Sequence, residues 1–112
     1  MEQIAGGVTA ARGFQAASAA AGIKYNNRLD MALLFSQVPA VSAGTFTSNV
    51  VKAAPVQWDR KKVTEETYAQ AIIVNAGIAN ACTGALGMEY CQQTAECAAG
   101  LLGITPDRKS VV

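Results

Sequence analysis

The part of the chain that decides its fold class reads Ala71-Ile72-Ile73-Val74-Asn75-Ala76-Gly77-Ile78-Ala79-Asn80-Ala81-Cys82-Thr83-Gly84. It begins with a continuous apolar run that is typical of a buried strand and that stops at Asn75. A loop of small residues with two asparagines follows, and Thr83-Gly84 then opens a segment of helical character. Proteins of the α/β class bind ligands at such a junction, because the loop amides and the helix N-terminus offer N–H groups without intrahelical partners.

The clearest helix prediction runs from Gly84 to Leu102. Apolar residues recur there with a period near 3.6, which places them on one helix face; they are Met88, Cys91, Ala95, Ala98 and Leu102. The opposite face carries polar side chains, namely Glu89, Gln92, Gln93 and Glu96. Gly103 follows at the position where a residue with positive φ commonly ends a helix.

Further elements are predicted on the N-terminal side of the loop. A continuous apolar run indicates a strand over residues 30–36, and Pro39 separates it from a second predicted strand over 40–47. Residues 53–58 are predicted as another strand, with Pro55 favouring an edge or strand-end position. Residues 64–68 are predicted as a short helix, and residues 69–75 form the strand described above.

The two ends of the chain complete the pattern. The alanine- and glycine-rich residues 6–23 are compatible with a helix, but we favour extended segments around Phe14 and Ala19. Ser110-Val111-Val112 has the pattern of a strand that is beginning, so we expect this polypeptide to be the N-terminal piece of a longer one. Together the elements predict an α/β fold in which a mixed β-sheet is layered with helices.

The composition excludes several classes of protein. The chain has 112 residues, 51% of them hydrophobic, a net charge of +1 and one short basic cluster, Arg60-Lys61-Lys62, which argues against a nucleic-acid surface. It has no apolar run long enough to span a membrane and no secretory signal. The three cysteines, Cys82, Cys91 and Cys97, show no C-x-x-C spacing, so we expect no disulfide framework or zinc site and a cytoplasmic location.

Histidine is absent from the sequence. Its absence removes Ser-His-Asp and Cys-His nucleophile activation as well as histidine metal ligands from this stretch. Any chemistry must therefore use another activating group, or the reacting residues must lie on another chain.

The candidate site is the loop from Asn75 to Gly84. In one interpretation the side chains of Asn75 and Asn80, together with the loop amides, bind a polar ligand or hold a neighbouring catalytic loop. In the other, which spacing alone favours, the asparagines satisfy local backbone groups and Thr83 is an ordinary helix N-cap. A dinucleotide site is not supported, because the early glycines lack G-x-G-x-x-G spacing.

Four segments carry a resemblance to a known family: residues 7–14 (Gly-Val-Thr-Ala-Ala-Arg-Gly-Phe), 30–33 (Asp-Met-Ala-Leu), 43–56 (Ala-Gly-Thr-Phe-Thr-Ser-Asn and Val-Lys-Ala-Ala-Pro-Val) and 73–84. In order and spacing they resemble the N-terminal part of the glutamate N-acetyltransferase (ornithine acetyltransferase, ArgJ) family. The family usually has Asn-Ser-Gly-Asn-Ala-Asn where this chain has Ala76 and Ile78, which argues against a ligand contact at position 78.

The resemblance implies that residues 1–112 form an incomplete N-terminal α/β domain of an ArgJ-like, N-terminal-nucleophile sandwich fold. Such enzymes move an acetyl group from N-acetylornithine to glutamate in arginine biosynthesis, and some also use acetyl-CoA. The precursor cuts itself before a threonine, which becomes the nucleophile at the start of a second (β) chain and uses its own α-amine as base.

The resemblance therefore implies partners and an absence of catalytic residues here. The partners are the rest of the α chain and the β chain in an α2β2 assembly in the cytoplasm, with no resident cofactor. Asn75, Asn80, Thr83 and Gly84 are then expected near the active site. The alternative is a stand-alone α/β binding or scaffold domain without chemistry.

Overall fold

The computed structural model describes residues 3–104 and 110–111. A short 3-10 helix, Val8–Ala10, precedes the first strand. The strands and helices then follow in the order β1 (Phe14–Ala19), β2 (Met31–Val41), α1 (Ala54–Glu65), β3 (Tyr68–Asn75), α2 (Gly84–Leu102) and β4 (Ser110–Val111). None of the helices in this part of the chain is long and apolar enough to cross a membrane.

The four strands form one mixed sheet in the order β1-β2-β3-β4. β1 pairs antiparallel with β2, and β2 pairs antiparallel with β3. β4 returns after α2 to pair parallel with β3, so that β3, α2 and β4 form a β-α-β unit. The predicted fold class, a mixed sheet layered with helices, is confirmed.

The core lies where α2 packs on the sheet. Ala71 of β3 and Ala99 of α2 are each 1% exposed, and Ala98 and Ile104 complete the buried cluster. Leu33, Phe35 and Ile73 pack against it from the sheet. Since side chains alternate across a strand, the neighbouring residues Ile72 and Val74 point to the other sheet face, where they remain exposed.

The two strands predicted at 30–36 and 40–47 are one strand, β2, which ends at Val41. The ladder with β3 is interrupted between Phe35 and Ala40, where the Ser36 hydroxyl donates a hydrogen bond of 2.6 Å to the Val38 carbonyl. Pro39 has no N–H to donate, and it lies within this interruption, where no ladder bond is needed. The prediction that the proline ends one strand and that another continues to residue 47 was therefore wrong.

The strand predicted at 53–58 is also wrong, because these residues begin α1. Pro55 lies in the first turn of that helix, where backbone N–H groups have no intrahelical acceptor and a proline costs nothing. The short helix predicted at 64–68 does not form either. Thr64 and Glu65 are the end of α1, and Tyr68 already begins β3.

Two predictions of secondary structure are confirmed, because β3 contains the whole of the predicted strand 69–75 and α2 has the predicted bounds. The pair of extended segments predicted around Phe14 and Ala19 is one strand, β1, which begins and ends at these two residues. Gly103 adopts φ 65° and ends α2, and the next amide, that of Ile104, donates a hydrogen bond of 2.9 Å to the Ala99 carbonyl. The backbone of residues 110–111 is a strand as predicted, whereas Val112 lies outside the described residues.

Candidate functional site

A cavity of about 300 Å³ lies between the sheet, the two helices and the loop that follows β3. The sheet contributes Met31, Ile73 and Asn75, and the loop contributes Ile78, Asn80 and Thr83. Helix α1 adds Pro55, Trp58 and Asp59, while α2 adds Gly87, Tyr90, Cys91, Thr94 and Ala95. Three of the four predicted site residues, Asn75, Asn80 and Thr83, therefore line the same cavity.

The two predicted asparagines are in direct contact. The Asn80 side-chain amide donates a hydrogen bond of 3.0 Å to Oδ1 of Asn75, which closes the loop across the end of β3. Both side chains are partly buried. The loop thus presents a paired amide cluster to the cavity, and each asparagine is held by the other.

The Asn80 backbone carbonyl ties the loop to both helices. It accepts a hydrogen bond from the Ala54 N–H at the start of α1 and another from the Thr83 hydroxyl before α2, each 3.4 Å long. Thr83 occupies the N-cap position of α2, but its hydroxyl makes no capping bond to the helix. The loop backbone therefore joins both helices, whereas the asparagine side chains bond each other and not the backbone groups that the structural interpretation assigned to them.

Glycines shape the loop without lining the cavity. Gly77 has φ +101°, and a Cβ atom there would lie 3.1 Å from the Cβ of Lys24. Gly84 has φ +57° in open surroundings, and the cavity wall does not include it. The positive φ of Gly84 lets the chain turn from the loop into α2.

Gly87 is a site residue that the sequence analysis missed. A Cβ atom at this buried position would lie 1.8 Å from the Thr83 hydroxyl oxygen and 2.9 Å from the Ala54 Cβ. The first turn of α2 can therefore approach the start of α1 only because residue 87 has no side chain. The sequence did contain a signal for this close contact, because a glycine inside a predicted helix is unfavourable unless the position has no room for a side chain.

Asp59 and Cys91 are the residues of the cavity wall whose pKa values are shifted. Partial burial raises the pKa of the Asp59 carboxyl. Burial also raises the pKa of the Cys91 thiol, and the negative charge of Asp59 raises it further. A thiol with a raised pKa stays protonated at neutral pH, so Cys91 is not an activated nucleophile. The sequence analysis did not predict Asp59 as a site residue, because it did not identify the segment around it as a helix.

No cluster of three or more metal-ligating side chains occurs among residues 3–104. The hydroxyl-rich segment 45–49 is mostly exposed and makes ordinary turn contacts, such as the bond from the Asn49 N–H to the Thr47 hydroxyl. The arrangement can bind a ligand through amide, carboxylate and apolar groups. It does not assemble a nucleophile with a base in the part of the chain that the structure describes.

Comparison with known proteins identifies the family. The family model described as "ArgJ family" matches residues 15–112. Among curated relatives, the arginine biosynthesis bifunctional protein ArgJ of Symbiobacterium thermophilum is 50% identical over 99% of this chain and 28% of its own length. The protein of the same name from Gloeobacter violaceus is 46% identical over 96% of this chain and 26% of its own length.

Two crystal structures are similar in fold. The arginine biosynthesis bifunctional protein ArgJ of Bacillus halodurans matches with a TM-score of 0.85 and 37% identity over 96% of this chain and 56% of that one. Ornithine acetyltransferase from Mycobacterium tuberculosis, complexed with ornithine, matches with a TM-score of 0.81 and 49% identity over 87% of this chain and 50% of that one.

The chain spans about a quarter of the length of the curated relatives it matches and corresponds to their N-terminal part. The expected ArgJ-like fold is confirmed by the two crystal structures. The match of the family model over most of the sequence shows that this chain belongs to the ArgJ family.

Proposed function

We propose that this chain is part of an enzyme that transfers an acetyl group from N-acetylornithine to glutamate in arginine biosynthesis. The observation that carries the proposal is the similarity to the Mycobacterium tuberculosis protein, which is named an ornithine acetyltransferase and holds ornithine. The names of the curated relatives, which refer to arginine biosynthesis, support the same pathway.

The proposed chemistry uses a threonine at the N-terminus of a second (β) chain, outside these 112 residues. The threonine hydroxyl attacks the acetyl carbonyl of N-acetylornithine, its own α-amine accepts the proton, and ornithine leaves with that proton. The amine of glutamate then attacks the acetyl-threonine ester, which restores the hydroxyl and releases N-acetylglutamate. This route requires no histidine and so agrees with a chain that contains none.

The role of this chain in the proposal is structural support of the site. Asn75, Asn80, Thr83 and Gly84 would lie near the active site, with the asparagine pair holding the loop in place. A loop at the end of a strand and the start of a helix is a common location for such support. Ile78 is 56% exposed, and we assign it no polar contact with substrate.

The assembly and its setting follow from the same proposal. The partners would be the rest of the α chain and the β chain, joined after self-cleavage in an α2β2 heterotetramer in the cytoplasm. We propose no resident cofactor. Acetyl-CoA would be a second acetyl donor, which agrees with the word "bifunctional" in the names of the relatives.

The test is transfer of labelled acetyl from N-acetylornithine to glutamate, followed by chromatography of the products. The purified full-length gene product should catalyse the exchange, and the isolated 112-residue chain should not. Activity of the isolated chain would overturn the external nucleophile, whereas inactivity of the full-length product would overturn acetyl transfer itself. Denaturing gels and N-terminal sequencing should show two chains, the second beginning with threonine.

A further inference from the structure

The cavity between the helices and the sheet has an unbalanced negative charge. Asp59 of α1 lies in its wall with the carboxylate partly buried, and the described lining residues include no lysine or arginine. Within the part of the chain that the structure describes, the Asp59 carboxylate forms no ion pair. Aspartate is ordinarily ionised at neutral pH, so this carboxylate presents a negative charge to the cavity.

The cation that lies one helical turn from Asp59 on α1 does not neutralise it. Lys62, one turn further on, forms an ion pair with Glu66 and lies over the ring of Trp58, 5.1 Å from its centroid. Its charge is therefore already engaged on the surface of the helix. Across the cavity, burial raises the pKa of the Cys91 thiol on the facing helix, and the charge of Asp59 raises it further.

The rest of the wall is mainly apolar. Ile23 and Ile78 contribute from the loops, and Met31 and Ile73 from the sheet. The volume of about 300 Å³ lies at the lower end of the range for small-molecule sites. Such a cavity suits a compound with one charged group and a short aliphatic body.

We propose that this cavity binds a small organic monocation, with its ammonium or guanidinium group paired with the Asp59 carboxylate and its alkyl part against the apolar wall. Small anions are disfavoured by the charge of Asp59. A divalent metal would require several oxygen ligands, and the cavity offers one carboxylate. The inference concerns binding and does not depend on the proposed acetyl transfer.

Calorimetric titration of the purified full-length gene product tests the proposal. The probes are n-butylammonium and n-butylguanidinium chloride, with n-butanol as a neutral control of the same alkyl length. At least one cation should bind saturably, and butanol should not. Comparison of the two cations shows whether the site prefers an ammonium or a guanidinium group.

Two variants identify the site. Asp59→Asn should weaken the binding of the cation by about tenfold or more, because it removes a charge-assisted hydrogen bond. Glu65→Gln removes an exposed carboxylate from the same helix, outside the cavity, and should leave the affinity unchanged. Equal affinity of Asp59→Asn and the unsubstituted protein, or no saturable binding of either cation, would overturn the proposal.

A second measurement covers the case in which Asp59→Asn folds poorly. Cys91 lines the same cavity, so a bound cation should slow the alkylation of this thiol in the unsubstituted protein, as followed by peptide mass spectrometry. The exposed thiols of Cys82 and Cys97 serve as internal references whose rates should not change. An unchanged rate at Cys91 under saturating cation would contradict binding in this cavity.

Discussion

Gly87 of α2 and Ala54 of α1 are so close that a Cβ atom at position 87 would lie 2.9 Å from the Ala54 Cβ. The same atom would overlap the Thr83 hydroxyl oxygen at 1.8 Å. Ala54 is itself buried, with 3% of its surface exposed. This contact joins the two helices at the end of the cavity where the loop enters.

Substitution of Gly87 by alanine should therefore destabilise the fold, although alanine favours helices. Overpacking at a buried contact costs about 1–3 kcal/mol, which exceeds the gain of about 0.5–1 kcal/mol in helix propensity. Denaturant unfolding, followed by circular dichroism, measures the difference. Gly100→Ala is the matched control, since nothing lies within 4 Å of its added Cβ. That control should be stabilised, and a stabilised Gly87→Ala would contradict the close contact.

The carboxylate of Asp30 should make stability depend on pH. It accepts hydrogen bonds from the Ile23 N–H at 2.7 Å and the Ala21 N–H at 2.6 Å, and these bonds lower its pKa. A lowered pKa in the folded state means that the stabilisation is present above the unfolded pKa of about 3.9. The stabilisation is lost as the pH falls through the folded pKa.

Asp30→Asn should thus reduce the melting temperature at neutral pH. An asparagine side chain has one acceptor oxygen, so one of the two backbone N–H groups that now bond the carboxylate would face an NH₂ group instead. The difference from the unsubstituted protein should shrink as the pH is lowered below about 4. Melting curves between neutral and acidic pH measure it, with the surface variant Glu65→Gln as a control for removing a carboxylate. A difference that stays constant down to acidic pH would be inconsistent with the proposed linkage.

The hydrogen bond between Asn80 and Asn75 should contribute measurable stability. Asn80→Ala removes the donor and leaves the partly buried Oδ1 of Asn75 without it, at a cost of about 1 kcal/mol. A double-mutant cycle with Asn75→Ala isolates the pairwise term, which should be on the order of 1 kcal/mol. The Asn80 carbonyl persists in these variants, so α1 should keep its start. Additive effects of the two substitutions would show that the pair is not coupled.

The three cysteines should differ in reactivity. Cys82 and Cys97 are exposed, whereas burial and the charge of Asp59 raise the pKa of Cys91. Alkylation at neutral pH should be slowest at Cys91, because the thiolate is the reacting form. Asp59→Asn should speed up the alkylation of Cys91 by less than about tenfold and leave the exposed cysteines unaffected. Peptide mapping measures all three rates in one sample.

The sequence predicted those elements whose pattern is long and regular. Helix α2 keeps one apolar period over its whole length, and β3 is a continuous apolar run, so both were predicted with their bounds nearly correct. Helix α1 was missed because Ala54 is its one buried residue and the remaining pattern is weak. Pro55 is compatible with a strand end and with a first helical turn, and only the tertiary structure decides between them.

The candidate site was predicted in part for a related reason. Asn75, Asn80 and Thr83 lie within one short segment, so local sequence was sufficient to bring them together. Asp59 and Gly87 join them only because α1 packs against α2, a contact between segments that are distant in the sequence. At Pro39 local sequence was misleading. This proline was interpreted as the boundary between two strands, but it lies in an irregular part of one strand, β2.

β3 pairs antiparallel with β2 along one edge and parallel with β4 along the other. The amides of β3 are therefore protected from exchange only while both the antiparallel strands β1-β2-β3 and the β-α-β unit are intact. In hydrogen–deuterium exchange, the amides of β3 should therefore exchange most slowly, because they become accessible only when the whole fold opens. By contrast, β1 pairs with β2 alone among the described strands, and its amides should exchange through smaller fluctuations at the sheet edge.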